Sequence, residues 1–409
     1  MAIPLLTLRK EDIMSRTRTL IVVAGLVLLT AACGGAEGDN GDAAGGGDGD
    51  GGGGDPIVLG GIFDLTGPTG DVGTPYAEGV RDYISQLNED GGIDGRQINL
   101  MSQDYQYDVA LAEQLYSQYQ GASAVAILGW GTADTEALRG RVSADELPYF
   151  SGSLSEELAD PQETPYNFLV GTTYSDQMRI ALKYINEQTG GDANIAVFHH
   201  DSPFGESPVD DGRQYVEDQG FGFEYSAYPM PGDATDYTAL LSRAQGATHI
   251  IVQNVASPAA QLAQDIANQG ADAQMVCLNW CTDEEFVELA GDTAEGVLGV
   301  TPWAPASIDT EGVQEVVEAS GNDDVGGHYL QGWYYAELMT TAIAKLVEAG
   351  EDVTGPNLKS ALEETEPFDT GGVSPPIDFS ADDHKGMTVA PIFEVTDGTW
   401  NVIEEGVEP

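Results

Sequence analysis

From Pro56 onward the chain alternates short apolar, β-branched runs with amphipathic stretches of helical period, and that alternation leaves few folds open. Residues 57–63 read as a buried strand. The turn Leu65-Thr66-Gly67-Pro68 follows, and Thr74-Pro75 predicts the start of a helix. Ala77, Val80, Ile84 and Leu87 then share one helical face, and Asp90-Gly91-Gly92 stops it. The unit recurs as strand 97–104, helix 109–120, strand 124–128, helix 133–145 and strand 148–151. A second series predicts helices at 175–188, 207–219, 236–245, 258–269 and 283–290, and strands at 194–199, 222–228, 248–253, 274–278 and 296–301. Strict alternation implies right-handed βαβ crossovers and mostly parallel sheets covered on both faces. The expected class is therefore α/β, with two doubly wound, Rossmann-like lobes. The last third offers helices 310–319, 327–349 and 355–365, an irregular segment 367–378, and strands 389–395 and 399–403. These are too few strands for a third domain, so they complete the first two.

The residues before this pattern have a different logic. Between Met14 and Cys33, Arg16 and Arg18 precede an apolar run, Leu20 to Leu29, and the small residues Thr30-Ala31-Ala32 precede Cys33. That is the grammar of an export signal, with Met14 a candidate start. Residues 1–33 are expected to be a lipoprotein signal, with cleavage and lipid attachment at Cys33. The mature chain would then be anchored to the membrane rather than span it. A transmembrane anchor is the alternative, but the apolar run is about half of the ~20 residues a spanning helix needs. Thr30 stands where a lipobox usually has Leu. Residues 34–55 hold only Gly, Ala, Asp, Glu and Asn, cannot bury a core, and are expected to act as a disordered tether of roughly 25 Å.

The chain carries 68 acidic against 15 basic residues, a formal charge of -53. Such a surface repels nucleic acid and anionic lipid headgroups, and nucleic-acid binding is excluded. It is best tolerated where salt screens it, the Debye length falling to about 3 Å at 1 M. A saline or alkaline habitat is inferred; a merely acidic secreted protein is the plainer reading. Beyond Cys33 only Cys277 and Cys281 remain, and in an oxidising compartment their spacing allows a local disulfide. With no second Cys pair and no His nearby, zinc is not expected.

Catalytic signatures are scarce. The chain has no G-x-S-x-G elbow, no Walker loop and no H-E-x-x-H. His199-His200-Asp201 is the densest group of potential ligands, but adjacent strand residues point to opposite faces, so no metal is expected there. What recurs is small polar residues and aromatics just past strand ends: Trp130 and Thr132, Ser153 and Ser155, Phe204, Asn254 and Ser257, Asn279 and Trp280. Hydroxyls and helix N-terminal amides suit a carboxylate, and stacked aromatics suit an apolar body or a cation. Each hydroxyl alone is more often a helix cap. The convergence of several strand ends is what points to a binding site and no cofactor.

The segments Ile57 to Gly70 (IVLGGIFDLTGPTG), Asn88 to Gly95 (NEDGGIDG), Ser102 to Asp108 (SQDYQYD) and Ile127 to Thr135 (ILGWGTADT) resemble the leucine/isoleucine/valine-binding proteins of bacterial ABC transporters. His200 to Glu206 (HDSPFGE), Asp236 to Leu241 (DYTALL) and Ala290 to Val297 (AGDTAEGV) continue the resemblance in order. It spans residues 56–403 and implies a type I periplasmic-binding fold, two lobes joined by three crossings and closing by a hinge. Crossings would fall near residues 168–173, 299–303 and 384–389. Lobe 1 would comprise 56–171 with 304–388, and lobe 2 would comprise 172–303 with 389–409. By the same resemblance Thr132 and Ser155, with Ser153 beside them, would hold an α-carboxylate. Trp130 and Phe204 would line the side-chain pocket, with Tyr329 near its wall. An acidic residue that receives the α-ammonium corresponds to Asn279, and a neutral amide forfeits a charge-assisted bond roughly twice as strong as a neutral one. Amides, urea derivatives, carboxylates and aromatic acids therefore join amino acids as possible ligands.

The expectation is a lipid-anchored, extracytoplasmic solute-binding protein, monomeric and not an enzyme, that presents a small organic solute to the membrane permease of an ABC importer. A sensory receptor on the same fold is the alternative, and a hydrolase using His200 with Asp201 a more distant one. If the acidity is an adaptation to salt, the melting temperature climbs as NaCl goes from dilute to molar. A flat profile removes that inference.

Overall fold

The computed structural model describes residues 54–232 and 234–409. The export signal, Cys33 and nearly all of the Gly/Asp segment lie outside the described residues. In chain order the elements are β1 (Ile57–Phe63), α1 (Gly70–Glu89), β2 (Ile98–Asp104), α2 (Val109–Gly121), β3 (Ala126–Gly129), α3 (Thr132–Ala144), β4 (Tyr149–Ser151) and β5 (Asn167–Phe168). They continue with α4 (Tyr174–Thr189), β6 (Asn194–His200), α5 (Pro203–Glu206), α6 (Val209–Gln219), β7 (Glu224–Met230), α7 (Thr238–Arg243), β8 (His249–Gln253) and α8 (Ala256–Gln269). The remainder is β9 (Gln274–Cys277), α9 (Glu284–Ala290), β10 (Leu298–Val300), α10 (Glu311–Ser320), α11 (Gly327–Ala349), α12 (Gly355–Glu363), β11 (Ala390–Thr396) and β12 (Thr399–Val407).

Two sheets organise these elements. The first has the order β2-β1-β3-β4-β5 and is parallel throughout. The second has the order β7-β6-β8-β9-β10-β11-β12; its first five strands are parallel, and β11 and β12 close the edge as an antiparallel hairpin. The order thus reverses at β1 in one sheet and at β6 in the other. With right-handed crossovers, the connections on either side of each reversal leave toward opposite faces and open a crevice at the strands' C-terminal ends.

The expected elements form with a few shifts of physical origin. α1 begins at Gly70, a full turn before the anticipated start, and Pro75 lies inside it. The Asp64 carboxylate accepts the amides of Gly67 (2.7 Å) and Thr69 (3.0 Å) and so supplies the ordering that an N-cap side chain would otherwise provide. The helix anticipated at 207–219 is α6, which starts two residues later, and a separate short helix, α5, precedes it across Ser207-Pro208. β12 runs on to Val407 because it pairs along the whole of β11.

Three strands of chain pass between the sheets and lie side by side. Leu169 pairs with Lys385 as a parallel bridge, the Leu169 amide donating to His384 O (3.0 Å) and the Gly386 amide to Leu169 O (2.8 Å). Trp303 Nε1 donates to Val170 O (3.1 Å), which ties in the segment after β10. His384 stacks on Phe168 at 4.0 Å and bonds Asn167 O and Glu363, so the third passage is held by the end of the first sheet.

Helices α10 and α11 pack against α1, and α12 packs on α11. At the α1–α11 crossing the two backbones touch: a Cβ on Gly79 would lie 2.1 Å from Tyr329 O, and one on Gly332 would lie 2.0 Å from Tyr76 O. Only glycine fits such an approach. Gly332→Ala should gain up to ~1 kcal/mol of helix propensity. It should lose more than that to overpacking, typically about 1–3 kcal/mol. Denaturant unfolding checks this, and an unchanged or raised midpoint would mean that the crossing is looser than described.

Candidate functional site

The reversals of strand order in the two sheets face a common cleft. Its lining comes from Thr69 after β1, Tyr107 after β2, Trp130, Gly131 and Thr132 after β3, Phe204 after β6, Val255 after β8 and Trp280 after β9, with Tyr174 at the start of α4. The empty space among them, including what opens to solvent, is about 230 Å³, so the two walls stand close together.

Each wall is built on a polar scaffold that fixes its aromatic rings. On the first-sheet side, Trp130 Nε1 donates to Thr69 Oγ1 (2.8 Å), and Thr69 Oγ1 donates to Asp64 Oδ2 (2.7 Å). On the other side, Trp280 Nε1 donates to the Tyr174 hydroxyl (2.8 Å). The two indoles meet across the cleft with centroids 4.7 Å apart and planes at 60°, and Phe204 lies edge-on to Tyr174 at 5.4 Å.

Beside them Thr132 Oγ1 and Ser153 Oγ are 2.7 Å apart at the N-terminus of α3, whose N-cap Gly131 offers no side-chain cap. Ser151 Oγ accepts the Ser153 amide (2.9 Å) and donates to Trp130 O (3.2 Å), locking the loops after β3 and β4 together.

Of the residues singled out by the sequence, Trp130, Thr132 and Phe204 line the cleft, and Ser153 backs it through Thr132. Ser155 lies further out, its Oγ donating to Glu136 (2.8 Å) and accepting from Ser207 Oγ (3.3 Å). Asn254 sits behind Val255, its Oδ1 accepting the Val255 amide (2.9 Å) and its Nδ2 directed at Met230 Sδ (3.3 Å). The Asn279 amide donates from its backbone to Gln177 Oε1 (3.1 Å), while its buried side chain has no partner among the described residues and does not line the cavity. Tyr329 is elsewhere: it bonds Asp82 Oδ2 (2.9 Å) and stacks on Trp333 at the α1–α11 crossing. His200 Nδ1 contacts Ser202 Oγ (2.7 Å), and Asp201 is exposed. The disulfide is not formed. Cys277 and Cys281 are free and buried, and the Cys281 thiol is directed at Val252 O and Leu278 O, both at 3.6 Å.

Thr69, Tyr107, Tyr174 and Val255 escaped the sequence reading. Thr69 and Tyr107 fall in the connections after β1 and β2, and only that position marks them.

Carboxylates ring this cleft without lining it. Asp71 Oδ2, on α1, accepts the Ser257 amide (3.0 Å) in the first turn of α8. Glu284, on α9, accepts the amides of Ser307 (3.0 Å) and Gly327 (2.9 Å), the latter at the start of α11. Both pair negative charge with the positive end of a helix dipole, and burial raises both carboxyl pKa values. Asp134, in the first turn of α3, is buried beneath Gly131 and accepts from the Tyr105 hydroxyl (2.7 Å). Burial pushes its carboxyl up to about 7, against the lowering effect of the Tyr105 bond. The folded state therefore holds this proton more tightly than the unfolded chain, so its contribution favours folding below the ordinary value of 3.8 and is lost as pH rises toward about 7. Asp134→Asn keeps the acceptor for Tyr105 and removes the charge. It should raise the melting temperature at about pH 8 and change it little at about pH 4. Equal effects at both would place the charge in solvent.

A family model described as "Periplasmic binding protein" matches residues 56–399. The Leu/Ile/Val-binding protein homolog 1 of Brucella abortus is 24% identical over 320 residues, covering 77% of this chain and 84% of that protein. Among solved structures, the branched chain amino acid ABC transporter from Thermus thermophilus with bound valine is 27% identical with a TM-score of 0.82, covering 87% of this chain and 97% of the other. The fatty acid ABC transporter substrate-binding protein from Thermomonospora curvata shares the fold at a TM-score of 0.78 and 21% identity, covering 87% and 93%.

Proposed function

The chain belongs to the periplasmic binding protein family, as a solute-binding protein of the branched-chain amino acid ABC-transporter type, and on that premise we propose that it captures a small amino-acid-like, amide or carboxylate solute in the cleft between its two sheets and presents it to a membrane permease. The observation that carries this reading is the cleft itself, where loops from β1, β2, β3, β6, β8 and β9 converge on one aromatic space. Open α/β sheets bind ligands at such reversals of strand order. Here two reversals face each other, and side-by-side crossings join the halves, so a solute can be enclosed by closure of one half on the other. No described helix is long and apolar enough to cross a membrane. The family is extracytoplasmic in type, and our reading adds a lipid anchor at Cys33, a monomeric state and adaptation to a saline habitat.

We assign lobe 1 to residues 56–171 with 304–388 and lobe 2 to 172–303 with 389–409. The packing of α10 and α11 on α1, with α12 on α11, and the pairing of β11 with β10 support these bounds. A carboxylate would be received by the Thr132 and Ser153 hydroxyls and the first amides of α3, where the helix dipole favours negative charge. The indole of Trp130 and the ring of Phe204 would cover the solute's body.

Thermal shift of the purified full chain in high salt, against amino acids, amides, ureas and aromatic carboxylates, tests the reading. A true ligand at about 100 times its dissociation constant adds ~2.7 kcal/mol of stability. For that ligand, Trp130→Ala and Thr132→Ala should each weaken binding by roughly tenfold or more, while Tyr329→Phe leaves it unchanged. Undiminished binding in both cleft variants sinks the assignment of the site.

A further inference from the structure

The cleft's chemistry narrows the solute class further, and this step rests on the reading of the cleft as the solute site. We propose that the solute is a small zwitterion whose cationic group is a methylated ammonium without N–H bonds, the betaine type, seated against the aromatic wall with its carboxylate toward Thr132.

Four observations converge on this. First, five of the nine lining residues are aromatic, and none of the nine carries a formal charge. Second, the polar edges of the indoles are engaged within the protein, Trp130 Nε1 on Thr69 and Trp280 Nε1 on Tyr174, so that ring surface is what these two side chains have left to offer. Aromatic faces attract cations, and a methylated ammonium, weakly hydrated and greasy, is well suited to them.

Third, the lining hydroxyls of Thr69, Tyr174 and Thr132 each already hold a protein partner, which reduces the acceptor capacity left for N–H donors. Thr69 Oγ1 already donates to Asp64 and accepts from Trp130, the Tyr174 oxygen accepts from Trp280, and Thr132 shares with Ser153. A primary ammonium brings three donors, and every donor left unpaired in an enclosed site costs its desolvation. A trimethylated nitrogen has none to lose.

Fourth, negative charge stands one layer behind the wall. Asp64 lies behind Thr69 at 2.7 Å, while no Lys or Arg enters the lining. An anion alone meets this field uncompensated, whereas a zwitterion brings its own positive group to it. The indoles follow strands of different sheets, Trp130 after β3 and Trp280 after β9, so each sheet contributes one ring to the wall.

The experiment is calorimetric titration of the full chain with glycine, dimethylglycine, trimethylglycine and the tert-butylacetate anion at one ionic strength. The last copies the shape of trimethylglycine with a neutral carbon in place of the charged nitrogen. Trimethylglycine should bind roughly tenfold or more tightly than either glycine or tert-butylacetate. Trp280→Ala should erase its advantage over tert-butylacetate, and Trp280→Phe should restore part of it. Equal or tighter binding of tert-butylacetate or glycine overturns the inference, as does binding of leucine or an amide in the absence of trimethylglycine binding. Those outcomes leave the cleft as the solute site if Trp130→Ala weakens whatever does bind; if it does not, the site assignment fails instead.

Discussion

A parallel strand must return by a crossover, and the twist of the polypeptide makes that crossover right-handed. Everything about the cleft depends on this constraint. Where β2 and β3 flank β1, and again where β7 and β8 flank β6, successive crossovers leave on opposite faces and the strand ends stand open between them. A single reversal provides a shallow notch. Two reversals set against each other make one space from short loops, each anchored to a strand end. The sheets hold the apolar core, and the loops at their ends are left free to carry chemistry.

The two walls solve the problem of fixing a large ring in different ways. Trp130 is oriented through a chain that ends on a carboxylate, Asp64, which also organises the turn leading into α1. Trp280 is oriented by a phenol from the neighbouring passage between the sheets. Buried hydrogen bonds of this kind matter less for their net energy than for the penalty of leaving them unmade, which narrows the orientations each ring can adopt. The rim contacts are of another kind: Asp71 with the start of α8 and Glu284 with the start of α11 join separate helices through single carboxylates.

The alternation of strand and helix was legible throughout because period and composition change sharply from one to the other. What could not be read were features set by distant residues. α1 starts early because Asp64 orders the turn before it, and β12 is long because β11 is there to pair with. In the site, Trp130, Thr132 and Phe204 were visible as unusual side chains just past strand ends. Thr69 and Tyr107 were not, since a threonine or tyrosine in a turn looks ordinary until its neighbours are known. Tyr329 misled in the opposite direction: a helical tyrosine among apolar residues can face a cavity or another helix, and close packing of α1 through Gly79 and Gly332 decides for the helix. Asn279 was legible as a neutral residue but not as one turned away from the lining.

Cys277 and Cys281 are both fully enclosed between β8, β9 and the turn that follows, and burial raises the Cys277 thiol well above its ordinary range. Thiolate is the reactive form, so a sulfhydryl reagent finds nothing to attack while the second sheet is intact. Among the described residues these are the only two cysteines, and they lie next to Trp280. The rate at which a sulfhydryl reagent labels them is therefore a clock for the opening of the strands that carry one wall of the cleft, built into the native sequence without an engineered cysteine.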